Sequence, residues 1–258
     1  MLVDSHCHLN YPDLADTAGV VARAKAAGVG VMQTISTQRS DFAPVKALAE
    51  GWPEIYCSIG IHPHEAGPHA DISAEELLAE ASHPRVIGIG ETGLDYYYEH
   101  SPREAQQALF RRHIQVARTL DLPVIVHSRD ADADTVSILQ QEHEIAPFRF
   151  IIHCFSSSQY LSDESVKIGG YISASGILTF KKSQALRDSF SSIPLDRLLV
   201  ETDAPYLAPE PYRGKPCEPA YTVHTAKRLA EVKGVSFDTL AQATTANFYR
   251  LFTKAVAI

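Results

Sequence analysis

The sequence predicts a (β/α)8 TIM barrel of the α/β class with one extra C-terminal helix. Three observations lead there. Eight short runs rich in Val and Ile recur at intervals of 23 to 37 residues. Helical patterns fill the gaps between them, as a parallel sheet with crossover helices requires. Residues able to do chemistry sit directly behind the apolar runs, where the strands of such a barrel open into its mouth.

In chain order, the strand runs are LVDSHCHL (2–9), VGVMQTIS (29–36), IYCSIGIHP (55–63), VIGIGETGLD (86–95), PVIVHSR (123–129), FRFIIHCF (148–155), YISASG (171–176) and RLLVETDAP (197–205). Between them fall helical patterns at 15–27, 41–50, 73–82, 102–120, 132–143, 160–168 and 183–192. Ser73 followed by Glu76 suits a capping box at the start of one helix, and Pro102 suits the first turn of another. The tail supplies the eighth helix at 220–232 and one more at 237–252. A doubly wound sheet is the alternative. It would call for a Gly-rich phosphate loop after the first strand, and CHLNYPD offers none.

At 258 residues the chain has room for one large domain or two small ones. No Pro/Gly/Ser linker divides it, so a single barrel domain over residues 1–258 is expected. The 45% hydrophobic and 21% charged fractions are those of an ordinary globular protein. No run of about 18 apolar residues occurs and the start lacks a basic-then-apolar leader pattern, so a cytoplasmic protein without a membrane span is expected. Cys7, Cys57, Cys154 and Cys217 form no C-x-x-C pair and are expected to be buried packing residues rather than a disulfide framework. The net charge of −8 argues against broad non-specific affinity for nucleic acid but leaves room for a local cationic site. No obligate protein partner is evident.

Six of the twelve histidines fall at strand ends: His6, His8, His62, His64, His127 and His153. Glu91 and Asp95 end the fourth strand, and Glu201 and Asp203 end the eighth. His6 and His8 are two apart on a strand and so face the same way. Any one of these residues has an ordinary structural reading, such as a hydrogen-bonded histidine or a turn-shaping aspartate. Together they would crowd imidazoles and carboxylates into one small volume, which costs several kcal/mol unless they are paired or coordinating. A divalent cation removes the conflict, and His6, His8, Glu91, His127, His153 and Asp203 are the candidate ligands.

The motifs DSHCHL, GIHPH, GETGLDYY, VIVHSRDA, IIHCFS, ETDAPYLAP and YRGKPCEP, in this order, resemble the TatD family of metal-dependent deoxyribonucleases among the amidohydrolase-like barrels. One loop departs from the family's pattern: residues 213–219 read RGKPCEP where R-G-K-R-N-E-P would be expected. The resemblance implies that His6, His8, Glu91 and Asp203 surround one metal ion. It implies that Glu91 bridges to a second ion held with His127 and His153, and that His62 contacts the substrate phosphate. It further implies two divalent ions, with Mg2+, Mn2+ and Zn2+ all in view.

Two divalent ions against two carboxylates would leave a site of roughly +2 in an acidic protein, which suits a phosphate or another anion. Asp203 is then expected to accept the proton of the attacking water. His62 binds phosphate or protonates the leaving group, and Glu91 completes the catalytic set. Glu201 either orients a ligand or forms a salt bridge near the barrel wall. Arg129, Arg213 and Lys215 are candidate phosphate contacts, with solvated surface charges as the competing reading. Tyr96–Tyr98, Tyr206 and Tyr212 either stack on bases or pack their loops. The expected function is a metal-dependent deoxyribonuclease acting on DNA single strands or ends. A small-molecule amidohydrolase or phosphoesterase with the same binuclear site is the alternative. A binding module with a structural metal fits less well, because structural zinc sites are normally closed and four-coordinate.

Overall fold

The structure is a computed structural model that describes residues 1–256. Its strands are β1 (Leu2–Cys7), β2 (Val29–Thr34), β3 (Ile55–Ile59), β4 (Val86–Asp95), β5 (Val124–Arg129), β6 (Phe150–Ile152), β7 (Tyr171–Ala174) and β8 (Leu198–Val200). Its α-helices are α1 (Thr17–Ala26), α2 (Phe42–Gly51), α3 (Ala74–Ala81), α4 (Arg103–Leu120), α5 (Asp132–Ile145), α6 (Gln159–Lys167), α7 (Gln184–Ser192), α8 (Thr222–Lys233) and α9 (Phe237–Leu251). The strands form one sheet in the order β1 to β8, every pair parallel. This is the expected (β/α)8 barrel with an extra C-terminal helix, nearly closed on itself.

The seam between β1 and β8 carries no regular ladder. Instead Asp203 N–H donates to His6 O at 2.9 Å, His8 N–H to Ala204 O at 2.7 Å and Ser5 Oγ to Val200 O at 3.1 Å. A parallel bridge between Cys7 and Ala204 completes it. The closure therefore runs directly through the segments that carry His6, His8 and Asp203.

Two apolar clusters hold the fold. Among the described residues most buried apolar side chains, Val29, Val86, Phe110 and Leu139 included, belong to the larger cluster. Val3, Val31, Ile87, Ile125, Ile151 and Leu199 form a second cluster with Phe248, Leu251 and Phe252 at the end of α9. With Tyr56 and Tyr171 the cluster takes a side chain from each of the eight strands, and the extra helix packs its aromatic end against them, away from the mouth. Among the described residues no helix is long and apolar enough to cross a membrane.

Local signals hold with small shifts. Ser73 caps α3 by accepting from Glu76 N at 3.1 Å, but the Glu76 carboxylate turns to Arg39 rather than back to the cap. Pro102 is the N-cap of α4, one position before the first turn. β6 and β8 are shorter than their apolar runs, so His153, Glu201 and Asp203 lie just past the strand ends.

Candidate metal centre

Glu91 is the hub of the barrel mouth. Only 3% exposed, it presents Oε1 to His153 Nε2 at 2.7 Å, His127 Nδ1 at 3.0 Å and His62 Nε2 at 3.5 Å. Its other oxygen, Oε2, lies 3.3 Å from His6 Nε2. Asp203 Oδ1 stands 3.3 Å from His8 Nε2 and 3.7 Å from His6 Nε2. The His6 and His153 rings stack at 3.9 Å with 9° between their planes. All six candidate ligands therefore converge, from β1, β4 and β5 and from the segments behind β6 and β8.

The outer nitrogens of these imidazoles decide what the inner ones offer. A carbonyl or carboxylate oxygen only accepts, so the ring nitrogen facing it carries the proton. His8 Nδ1–H donates to Ile35 O at 3.3 Å, His127 Nε2–H to Asp95 Oδ2 at 3.3 Å and His153 Nδ1–H to Glu201 Oε1 at 3.3 Å. Each leaves an inner lone pair directed at a carboxylate oxygen, and such a contact requires a proton or a cation between the two.

Without an ion, protons fill that need. Burial alone would lower His153, yet Glu91 and Glu201 raise it well above the ordinary imidazole value. Burial likewise opposes the upward shifts of His8, produced by Asp203, and of His127, produced by Asp95 and Glu91. Burial pushes Glu91 up, but the surrounding imidazoles hold it well below the carboxylate range. His6 behaves differently: burial lowers it, and both its ring nitrogens are buried without a hydrogen-bond partner. A buried, unpartnered imidazole beside carboxylates is what a metal ligand looks like before loading. Three sets of donor atoms lie within 4.8 Å of one another: His6, His8 and Asp203; His6, His153 and Glu201; and His62, Glu91 and His127. The donor set fits divalent cations with an affinity for imidazole.

His62 stands apart. Its Nδ1 accepts from His64 N at 3.1 Å, so in the neutral ring Nε2 bears the proton. Burial holds it well below the ordinary imidazole value and hence neutral. It presents that N–H side of the ring to Glu91 Oε1, 3.5 Å away.

Several residues that the sequence did not single out build this geometry. Asp4, fully buried and pushed up to about 7 by burial, accepts from Thr202 N and Thr202 Oγ1 at 2.9 and 2.6 Å. Buried His113 on α4 accepts from Ile61 N at 3.1 Å, steadying the chain one residue before His62. Glu201, which the sequence did point to, joins them: it faces His153 as above and also accepts from Cys154 N at 2.8 Å. A signal for Asp4 existed, since an acid within an apolar strand must find partners.

The cluster forms the floor of a cavity of about 880 Å³. Arg129 lines it, with its guanidinium 4.2 Å from the ring centre of Tyr97 and 4.8 Å from that of Tyr98. It is the one Lys or Arg to line the cavity among the described residues. Tyr97, Tyr98, Tyr206 and Tyr11 share the rim, whereas Tyr96 binds Asp134 through its hydroxyl at 2.7 Å. Arg213 and Lys215 do not line it: Arg213 lies 3.7 Å over the Phe180 ring, and Lys215 sits over Tyr212. Tyr212 itself stacks on Tyr221 at 4.1 Å rather than facing the mouth. Cys7, Cys57 and Cys217 are buried as expected, but Cys154 has a positive φ of 43° and lines the cavity.

A family model described as TatD related DNase matches residues 3–253. The "uncharacterized metal-dependent hydrolase YcfH" of Escherichia coli K12 is 42% identical over 255 residues, covering 97% of this chain and 95% of its own length. The "uncharacterized metal-dependent hydrolase YabD" of Bacillus subtilis 168 is 40% identical, covering 98% and 99%. Among solved structures, the TatD homologue YjjV of Escherichia coli K12 superposes with a TM-score of 0.92 at 32% identity, covering 98% of both chains.

Proposed function

The chain belongs to the TatD family of metal-dependent hydrolases, and on that premise we propose that it cleaves phosphodiester bonds of DNA, at single strands or free ends. The observation that carries this is the convergence of six buried or half-buried imidazoles and carboxylates, with inner imidazole nitrogens directed at carboxylate oxygens and five of the six, all but His6, lining an open cavity. We assign His6, His8, Asp203 and Glu91 to one ion and Glu91, His127 and His153 to a second. When bound, divalent ions of this kind supply Lewis-acid polarisation and lower the pKa of water.

The chain's own residues do the rest. Burial would raise Asp203, but His8 and His6 hold it down, so it meets the attacking water as a carboxylate able to take its proton. His62 offers Nε2–H to a phosphate oxygen or to the departing oxygen. Arg129 offers a planar fork to a neighbouring phosphate, and Tyr97 and Tyr98 offer exposed faces to bases. With Arg129 the one Lys or Arg lining the mouth among the described residues, the grip on the backbone beyond the ion site is short, which supports ends or single strands over long duplexes. The four free thiols suit a reducing compartment, in keeping with a cytoplasmic place.

The test is hydrolysis of end-labelled single-stranded DNA by metal-stripped protein, restored with Mg2+ or Mn2+, beside Glu91→Ala. A metal-dependent ladder absent from the variant supports the proposal. Hydrolysis of small phosphate or carboxyl esters without DNA cleavage replaces it with a small-molecule hydrolase.

A further inference from the structure

Asp95, at the end of β4, is 1% exposed, and each of its two oxygens has a separate task. Oδ1 accepts from the backbone N–H groups of Tyr97 at 3.0 Å and Tyr98 at 2.9 Å. Oδ2 faces His64 Nε2 at 2.8 Å and His127 Nε2 at 3.3 Å. Its own N–H is tied to Gln106 Oε1 at 2.8 Å, so the carboxylate starts from a fixed backbone. Burial works against the charge, and the hydrogen bonds from His127 and His64 overcome it to hold Asp95 well below the carboxylate range.

We propose that Asp95 is a positioning residue that joins two walls of the site, directing His127 Nδ1 at the ion position while pinning the backbone of Tyr97 and Tyr98. The proposal rests on the assignment of His127 as an ion ligand. Oδ2 accepts and cannot donate, so it keeps the proton on His127 Nε2 and the lone pair on Nδ1. That lone pair lies 3.0 Å from Glu91 Oε1 and 3.4 Å from His153 Nε2, at the heart of the cluster. Carboxylates behind metal-bound histidines commonly tune affinity in this way. Here the same group also fixes the loop that bears the exposed Tyr97 and Tyr98 rings beside Arg129.

Asp95→Asn separates positioning from packing. The N–H groups of Tyr97 and Tyr98 require an acceptor, so the amide oxygen must take the Oδ1 place and the NH2 must take the Oδ2 place. The NH2 then donates to His64 Nε2 and His127 Nε2, which moves both ring protons to Nδ1 and, in His127, aims that proton at the ion position. Side-chain volume and loop anchoring stay as they were.

The experiment titrates metal-stripped wild type, Asp95→Asn and His127→Ala with Zn2+ against a chromophoric chelator. Each metal-free protein is also melted. The expected result is metal affinity about 10- to 100-fold weaker in Asp95→Asn and weaker still in His127→Ala, with Asp95→Asn keeping one cooperative metal-free transition that is lowered only by the lost charge beside His127 and His64. Wild-type affinity in Asp95→Asn alongside a loss in His127→Ala overturns the role of Asp95 and leaves the ligand assignment standing. Wild-type affinity in His127→Ala overturns that assignment and the proposal with it. Loss of the cooperative metal-free transition in Asp95→Asn makes the residue a structural one and overturns the proposal as well.

Discussion

Asp4 and Thr202 are 198 residues apart in sequence, yet Thr202 donates to the Asp4 carboxylate through both its N–H, at 2.9 Å, and its hydroxyl, at 2.6 Å. His6 N–H donates to the same carboxylate at 3.3 Å. The pair therefore ties the residue two before His6 to the residue before Asp203, at the seam where the barrel closes without a regular ladder. Asp4→Ala would leave these buried donors unpaired, at about 1–3 kcal/mol each when no partner replaces the acceptor. We expect Asp4→Ala to lose about 3 kcal/mol in urea unfolding. Asp4→Asn should stay near wild type, because its Oδ1 still accepts from both N–H groups and its NH2 can donate to the Thr202 hydroxyl. Equal losses in the two variants would show that the carboxylate charge, not acceptor geometry, holds the seam.

His113 gives the fold a dependence on acid. It is fully buried, with Nδ1 donating to Leu109 O at 2.8 Å and Nε2 accepting from Ile61 N at 3.1 Å. Burial lowers it from 6.5 to about 4. Because the folded value is depressed, the unfolded chain takes up the proton first as pH falls. The contribution of His113 is therefore complete above about pH 6.5 and is lost progressively toward pH 4, amounting to about 3 kcal/mol. In His113→Gln the loss of stability between pH 7 and 4 should be shallower by up to one proton. Identical slopes in the two proteins would locate the acid sensitivity elsewhere.

The strand order and the six convergent side chains could be read from the chain because a polar residue directly behind a Val/Ile run has one place to go in a parallel barrel. Sequence adjacency served less well for the loop behind β8. Arg213 and Lys215 follow the Asp203 segment closely, but the chain there turns toward α1, where Glu218 meets Arg23 Nε at 2.7 Å, and carries them off the cavity. Which way such a loop turns depends on contacts with distant elements, and no local pattern records them. His113 is the opposite case. Leu109, Phe110, His113, Ile114 and Ala117 form one buried face of α4, and their helical spacing is present in the sequence. The Asp4–Thr202 and Asp95–His127 pairs needed the structure, since partners so far apart in sequence have no signature in either segment alone.

Gly60 marks a close approach on which the site depends. A Cβ there would lie 2.4 Å from the Cα of Gly90 and 2.5 Å from its carbonyl carbon. Both contacts are to backbone and cannot be relieved by a side-chain rotation. Gly60 stands two residues before His62, and Gly90 directly precedes Glu91, so spreading them moves His62 from its 3.5 Å contact with Glu91. Gly60→Ala should cost about 3 kcal/mol of stability and weaken metal binding, read by urea unfolding and chelator competition. Unchanged values for both would mean that β3 and β4 can part without disturbing the hub.

Ion stoichiometry separates the roles of Glu91 and Asp203. Glu91 touches imidazoles on both sides of the cluster, with Oε2 toward His6 and Oε1 toward His127 and His153. Among the described residues the Asp203 carboxylate meets the imidazoles of His8 and His6 and no others. Under the assignment of two ions bridged by Glu91, Asp203→Asn should retain the ion held by His127 and His153 and lose or weaken the other. Glu91→Ala should weaken both. Metal at about 100 times its dissociation constant stabilises a protein by about 2.7 kcal/mol per site. Wild type should thus show the largest rise in melting temperature on loading, Asp203→Asn a smaller one and Glu91→Ala the least. Metal content by elemental analysis should follow the same order. Full loss of both ions in Asp203→Asn, or full retention in Glu91→Ala, would break the assignment of Glu91 as the bridge.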